Sequence, residues 1–183
     1  LHLLDSAALL PFVDLTGKTV VDVGTGAGFP GLPLKIAQPD ISLTLLDSLD
    51  KRVRFLGDVC AAAGLTDVTC LHARAEEALE LRGQFDAAVS RAVARLYLLC
   101  ELCLPFVRRG GTFLAMKAAR APEELEKART AITSLGGKVT AVHNIVLQGN
   151  GEEESRVIVE IQKVSCTPAN LPRPFAKILK KPL

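Results

Sequence analysis

Short apolar runs alternate with amphipathic stretches from about residue 18 of the chain onward. Five runs of β-branched and aliphatic residues, at 19–23, 41–46, 68–71, 85–89 and 112–116, predict strands, the first of them buried. Two further runs, at 139–147 and 157–162, flank a polar stretch at 148–155 and predict a hairpin. Because helical patterns separate the first five runs, we expect an α/β fold. Its sheet should be mostly parallel and seven-stranded, with an antiparallel strand near the C-terminus and helices on both faces.

Apolar residues at intervals of three and four predict the helices between these strands. We expect helices at 31–37, at 50–64, at 96–106 with residues 108–111 as its end, and at 122–135. The buried stripe of the second helix should run from Val53 to Ala63. We interpret the chain as a single domain over residues 1–183. Within it, residues 1–15 would be the remnant of an N-terminal helical segment and residues 165–183 a basic tail.

Composition excludes several classes of protein. Nearly half of the residues are apolar (49%), but polar residues interrupt every apolar stretch well before the ~20 residues that a membrane span needs. The first ten residues lack the basic start and the cleavage site of a secretory signal, so we expect a soluble, cytoplasmic protein. The five cysteines are an odd number, which favours reduced thiols. Cys100 and Cys103 form a lone C-x-x-C in a leucine-rich helix, which we interpret as core packing and not as a metal site.

The strongest chemical signal is a glycine-rich turn between the first strand and the first helix. Asp22 is followed by glycines at alternate positions, including Gly24 and Gly26. Such a turn lets a ligand approach the main chain, next to the free N–H groups of a helix start. A dinucleotide fingerprint, G-x-G-x-x-G, would need glycine at position 29, where the chain has Phe29. The turn therefore indicates S-adenosylmethionine, whose ammonium group a carboxylate such as Asp22 would attract.

Polar residues at the ends of the next strands extend this predicted site. Asp47 ends the second strand, where a carboxylate can accept hydrogen bonds from ribose hydroxyls. Ala75 and Glu76 follow the third strand and suit the adenine end, although an ordinary helix start would have the same pattern. Ser90 and Arg91 follow the fourth strand, where the methyl group and its acceptor should meet.

Two cations at this edge of the sheet leave alternatives open. Arg91 could instead form a structural ion pair at the surface. Lys117, at the end of the fifth strand, is the other cation near the predicted site, and its role is open.

These segments together resemble one family, the bacterial 16S ribosomal RNA guanine-N7 methyltransferases, also called glucose-inhibited division protein B. The resemblance rests on residues 22–34, 45–52, 74–77, 85–92 and 180–183, and on His-Leu-Leu-Asp-Ser at 2–6. The Gly-Phe-Pro-Gly-Leu-Pro and Ser-Arg-Ala sequences are not generic to methyltransferases. The resemblance implies that Gly24, Phe29, Ala75, Glu76 and Arg91 contact the cofactor. It also implies that an N-terminal helical portion of the family is missing. Ala118 departs from the glycine that is usual in the family.

The resemblance implies methyl transfer from S-adenosylmethionine to N7 of a guanine, with 16S ribosomal RNA or the small ribosomal subunit as partner. Guanine N7 carries no proton at neutral pH, so we expect no general base; Ser90 and Arg91 would position the acceptor. The net charge of +2 does not by itself indicate a nucleic-acid partner. The cations of residues 51–54 and of the basic tail would bind phosphates. We expect a monomer.

Three alternatives remain open at this point. The first is a methyltransferase with the same cofactor site that acts on a small molecule or a protein. The second is a nicotinamide-dependent oxidoreductase, which Phe29 disfavours. The third is a non-catalytic RNA-binding module, against which the intact turn at 22–28 argues.

Overall fold

The computed structural model describes residues 2–91, 94–118, 121–149 and 152–183. Its centre is a seven-stranded sheet in the order β3-β2-β1-β4-β5-β7-β6. The strands are β1 (Thr19–Val23), β2 (Ser42–Asp47), β3 (Val68–His72), β4 (Phe85–Ser90), β5 (Val107–Ala118), β6 (Gly137–Gly149) and β7 (Glu152–Lys163). The first five strands pair in parallel, and β7 runs antiparallel to both β5 and β6. This arrangement confirms the predicted fold class.

Six α-helices accompany the sheet in the described part of the chain. They are α1 (His2–Ala7), α2 (Gly31–Ala37), α3 (Asp50–Ala62), α4 (Leu96–Cys103), α5 (Ala121–Ser134) and α6 (Phe175–Lys180). Helices α4 and α5 pack through Leu99, Cys103 and Ile132 on one face of the sheet. Helices α2 and α3 pack through Leu34 and Leu56 on the other. Neighbouring residues of a strand point to opposite faces, so one sheet contributes to both cores.

The parallel strands bring their carboxyl ends to one edge of the sheet. Strand order reverses between β1 and β4, because the chain proceeds from β1 outward to β3 and then crosses back to the other side of β1. In open α/β sheets, ligands bind at such a switch point, outside the carboxyl ends of the strands. The topology thus places a candidate site beside the ends of β1, β2 and β4.

The structure corrects several boundaries. The helix predicted over 96–106 is shorter, because α4 ends at Cys103 and a 3-10 helix follows at Leu104–Phe106. Strand β5 begins at Val107, so residues 108–111 belong to a strand and do not end a helix. The polar stretch at 148–155 was predicted to be a loop, yet β6 reaches Gly149 and β7 begins at Glu152. The hairpin pairs Leu147 with Glu154, so backbone pairing continues past the apolar positions from which the strands were predicted. Helix α3 ends at Ala62, and Ala63 is exposed, so it is not part of the buried stripe.

The five cysteines are free thiols, of which Cys60, Cys100 and Cys103 are buried. Burial raises the pKa of the Cys100 and Cys103 thiols, because the charged thiolate is disfavoured away from water. This placement agrees with a packing role for the C-x-x-C pair. Within the described ranges, no helix is long and apolar enough to cross a membrane, and no group of three or more His, Cys, Asp or Glu side chains is arranged to hold a metal ion.

Candidate functional site

A cavity of about 330 Å³ lies at the carboxyl ends of β1, β2 and β3. Polar and charged side chains line it together with backbone of the glycine turn: Gly24, Asp47, Ser48, Arg52, Arg74 and Glu76. The apolar lining residues are Val23, Leu46, Ala73, Ala75, Ala94, Leu99, Leu102 and Phe175. A lining that combines polar groups with apolar surface suits a ligand that has both a sugar and a flat heterocycle.

The glycine turn after β1 brings the main chain to the edge of this cavity. Gly24 has φ +70° and Gly26 has φ +61°, a backbone conformation that side chains with a Cβ rarely adopt. The amide of Gly24 donates to the carbonyl of Leu46 in β2 (2.9 Å). A Cβ added to Gly24 would meet no atom within 4 Å. Gly24 therefore leaves open space at the cavity for a ligand to contact its main chain.

Asp22 supports the turn through hydrogen bonds and does not line the cavity. Its side chain is fully buried, and Oδ2 accepts hydrogen bonds from Thr25 Oγ1 (2.7 Å) and from the amide of Gly31 (2.8 Å). Burial raises the pKa of Asp22 to about 6, although these two hydrogen bonds and the charge of Arg91 act to lower it. Its Oδ1 is buried and has no hydrogen-bond partner among the described residues. Asp22 thus fixes the turn relative to the start of α2, with one acceptor atom unsatisfied.

Asp47 joins the end of β2 to the glycine turn. Its carboxylate is buried and lines the cavity. Oδ2 accepts from the amide of Gly26 (2.9 Å), and Oδ1 accepts from the amide of Leu49 (3.0 Å). Arg52 lies 3.4 Å from Oδ2. Since an ionised carboxylate has about four lone-pair sites, Asp47 retains acceptor capacity for a ligand hydroxyl.

The segment after β3 supplies the next side of the cavity. Ala75 is buried, and Glu76 lines the cavity with a side chain that is largely buried. Nε of Arg74 donates to Oε1 of Glu76 (2.6 Å). The Arg74 guanidinium also lies over the ring of Phe175, 5.3 Å from its centroid. Arg74 therefore connects Glu76 with Phe175, which belongs to α6.

Ser90 and Arg91, at the end of β4, lie next to the turn but do not line the described cavity. The hydroxyl of the fully buried Ser90 donates to the carbonyl of Val23 (2.9 Å). The guanidinium of Arg91 lies 4.8 Å from the ring centroid of Phe29. It also forms an ion pair with Oδ2 of Asp5 in α1 (3.3 Å). Arg91 thus contacts both the glycine turn and the N-terminal helix.

Lys117 makes structural contacts with other described residues and does not line the cavity. Its side chain is 6% exposed, and Nζ donates to the carbonyl of Ala94 (2.6 Å) and pairs with Oε2 of Glu124 (2.8 Å). The same Glu124 oxygen accepts from the amide of Leu96 at the start of α4 (2.8 Å). These contacts tie the end of β5 to the start of α4 and to α5. Lys117 therefore holds in place the segment that carries the cavity residue Ala94.

The structure brings together four of the residues predicted from the sequence: Gly24, Asp47, Ala75 and Glu76 all line the cavity. The other five predicted residues do not line the cavity but lie in the glycine turn or next to it. They are Asp22, Gly26, Phe29, Ser90 and Arg91. The assignment of contacts to all nine stays a prediction.

Sequence reasoning missed Leu99, Leu102 and Phe175 as cavity residues. Arg52, which was assigned to phosphate binding, also lines the cavity beside Asp47. Its position in the first turn of α3, shortly after Asp47, was the available signal. Leu99 and Leu102 carried only the apolar spacing of an ordinary helix. Phe175 carried no local signal.

Comparisons with known proteins give the family. The family model GidB, described as rRNA small subunit methyltransferase G, matches residues 1–155. The Ribosomal RNA small subunit methyltransferase G of Lachnoclostridium phytofermentans is 46% identical over 100% of this chain and 76% of its own length. The protein of the same name from Limosilactobacillus reuteri is 48% identical over 94% of this chain and 73% of its own length.

Solved structures show the same fold at low sequence identity. M. jannaschii TYW2, crystallised in complex with AdoMet, has a TM-score of 0.70 and 14% identity, over 89% of this chain and 76% of that one. TrmN from Thermus thermophilus has a TM-score of 0.67 and 20% identity, over 87% of this chain and 48% of that one. These structures support the class I methyltransferase fold, and the sequence relatives identify the enzyme class. The chain belongs to the rRNA small subunit methyltransferase G family, whose members are S-adenosylmethionine-dependent enzymes.

Proposed function

We propose that this chain transfers the methyl group of S-adenosylmethionine to N7 of one guanine in 16S ribosomal RNA. The observation that carries the proposal is the cavity at the carboxyl ends of β1, β2 and β3, where Gly24, Asp47 and Glu76 line one space. Membership of the family supports the RNA substrate. The choice of N7 and of a guanine comes from the resemblance of the sequence motifs.

The residues at the cavity fit S-adenosylmethionine. The open space at Gly24 allows the ligand to approach the main chain, and Asp47 offers acceptor sites to the ribose hydroxyls. Ala75 and Glu76 provide the side of the cavity for adenine. The carboxylate of Asp22, which has one unsatisfied oxygen, adds negative charge near the turn when ionised, and this charge attracts the ligand's ammonium group. When bound, the sulfonium supplies an electrophilic methyl group.

The protein's part in the transfer is alignment. Guanine N7 has a free lone pair and no proton at neutral pH, so the reaction requires no general base. Ser90 fixes the end of β4 to the end of β1 through the carbonyl of Val23. We propose that Arg91, which Asp5 and Phe29 orient, positions the acceptor guanine or the cofactor. A guanidinium can donate paired hydrogen bonds to the guanine edge or to a phosphate.

The exposed cations suited to contact RNA phosphates are fewer than the sequence suggests. Arg173 is not among them, because its guanidinium is paired with the buried Glu101. Arg54 is exposed but pairs with Asp50 (2.7 Å). Lys51 and the three lysines at 177, 180 and 181 are exposed. We propose that these lysines contact phosphates, which makes RNA affinity fall steeply with salt.

Mass analysis of the RNA product tests the proposal. The chain is incubated with labelled S-adenosylmethionine and unmodified 16S ribosomal RNA or small subunits, and the RNA is digested to nucleosides. The expected product is 7-methylguanosine at one site. Methylation of another atom, or of proteins or small molecules in place of RNA, contradicts the proposal.

Substitution of Arg91 tests whether this residue positions the guanine or the cofactor for methyl transfer. Arg91→Ala should lower kcat about 10- to 100-fold, because positioning acts on the transition state as well as on binding. Arg95→Ala is the control, since Arg95 is exposed and contacts Tyr97. Unchanged turnover in Arg91→Ala removes Arg91 from the site.

A further inference from the structure

The C-terminal segment, residues 171–183, packs against the enzyme core beside the cavity. Leu171 is 5% exposed, and Ile178 of α6 is fully buried. Leu171 and Leu183 pack with the same core cluster as α4. Upstream, Arg82 donates to the carbonyls of Thr167, Pro168 and Leu171. The segment therefore has defined contacts with the folded core.

A buried ion pair holds this segment to α4. Glu101 is 1% exposed, and its carboxylate accepts hydrogen bonds from the amide (2.9 Å) and Nε (2.7 Å) of Arg173 through Oε1, and from Nη2 (2.6 Å) through Oε2. Nη1 of Arg173 donates to the carbonyl of Lys181 (2.8 Å), which closes the segment on itself. A buried carboxylate bound by such a fork geometry is well satisfied, so the pair fixes where α6 begins.

The first residue of α6 lies in the wall of the cavity. Phe175 lines the cavity with Leu99 and Leu102 of α4, and it is the one aromatic side chain among the described lining residues. The Arg74 guanidinium packs over its ring at 5.3 Å and also binds Glu76, which lies at the proposed adenine end. Phe175 and Glu76 are therefore linked through one side chain.

We propose that Phe175 contacts the adenine ring of S-adenosylmethionine, and that the Glu101–Arg173 ion pair places it there. Adenine needs a flat apolar surface beside a polar edge, and aromatic side chains provide the strongest such contact. The aliphatic residues of the wall supply area without an aromatic face. The residues matched by the family model end at 155, so Phe175 lies beyond the matched part. The inference rests on the proposed function, because it takes the cavity to be the cofactor site.

Calorimetric binding of S-adenosylhomocysteine and of adenosine tests this role without any catalytic turnover. Phe175→Leu should raise the Kd of both ligands by about tenfold, since loss of one base–aromatic contact changes affinity by about that factor. Phe175→Tyr keeps the ring and should stay within about twofold of the parent. Leu179→Ala is the matched control, because Leu179 lies in the same helix and is 53% exposed.

Comparing the two ligands, together with the melting temperature, distinguishes the loss of an adenine contact from a general loss of protein stability. An equal loss for both ligands in Phe175→Leu, with an unchanged melting temperature, supports the inference. Unchanged affinities in Phe175→Leu overturn it, as does a loss for S-adenosylhomocysteine alone. Binding by the parent protein and its methylation of RNA are measured in the same series. If the parent binds neither ligand, the proposed function fails; if it binds and methylates while Phe175→Leu is unaffected, only this inference fails.

Discussion

The glycine turn after β1 and the C-terminal segment line the same cavity by different means. The turn presents main-chain atoms, and its shape depends on the positive φ of Gly24 and on hydrogen bonds to Asp22 and Asp47. The C-terminal segment presents a side chain, Phe175, and its position depends on an ion pair between residues 72 apart in the chain. Backbone conformation and main-chain hydrogen bonds therefore shape the turn, whereas a buried charge pair positions the C-terminal segment.

Because of this difference, substitutions in the two regions should affect different properties: ligand affinity in the turn, and the free energy of unfolding in the C-terminal segment. The turn has an open face toward the cavity, so a change at Gly24 should act on ligand binding more than on folding. The Glu101–Arg173 pair is buried in the protein, so a change there should act on folding first.

The largest effect should come from a side chain at Gly24. Gly24→Leu should raise the Kd of S-adenosylmethionine by about 100-fold or more, because the new side chain enters space that the ligand needs. Gly64→Leu is the matched control: Gly64 has φ +62° and open surroundings like those of Gly24, but it does not line the cavity. Both variants should lose about 1–2 kcal/mol of stability from backbone strain. Equal affinities in the two variants, by calorimetry, would remove the turn from the site.

The second prediction concerns the C-terminal segment. Arg173→Met leaves Glu101 buried without its partner and should lower the free energy of unfolding by about 3 kcal/mol, measured by urea denaturation. Arg129→Met is the control, because the Arg129–Glu126 pair is exposed on both sides and should contribute less than about 0.5 kcal/mol. The double variant Arg173→Met with Glu101→Leu should recover part of the loss. A single variant no less stable than Arg129→Met would show that the pair does not hold the segment.

The third prediction uses the raised pKa of Asp22, about 6 against an ordinary value of 3.8. Between these values the folded protein binds more protons than the unfolded chain, so the contribution of Asp22 to stability falls as pH rises through this window. Without cofactor, the unfolding free energy of the parent relative to Asp22→Asn should fall by about 2–3 kcal/mol between pH 4 and pH 7. A difference that stays constant with pH contradicts the buried, unsatisfied state of this carboxylate.

The sequence predicted the structural features that depend on the local pattern of residues. Strand β1, the turn at Gly24 and Asp47 at the end of β2 follow from apolar runs, glycine spacing and the topology of parallel strands. The limits of the β6–β7 hairpin were wrong, because pairing such as Leu147 with Glu154 depends on the partner strand and not on the apolar residues of either one.

The roles of the C-terminal residues at the cavity could not be predicted from the sequence, for a related reason. Arg173 has the same local sequence signal as the exposed lysines near it, and only the position of Glu101 in the folded chain distinguishes it. Phe175 lies in a six-residue helix that has no amphipathic repeat of its own. Its place at the cavity follows from that ion pair and from Arg74.

The most direct test of the account is a crystal structure of this chain with S-adenosylmethionine. The account predicts the ligand in the cavity at the ends of β1 to β3, with its main-chain contact at Gly24, its ribose at Asp47 and its adenine between Glu76 and Phe175. A ligand bound elsewhere on the protein, or bound in this cavity with its adenine away from Glu76, would contradict it.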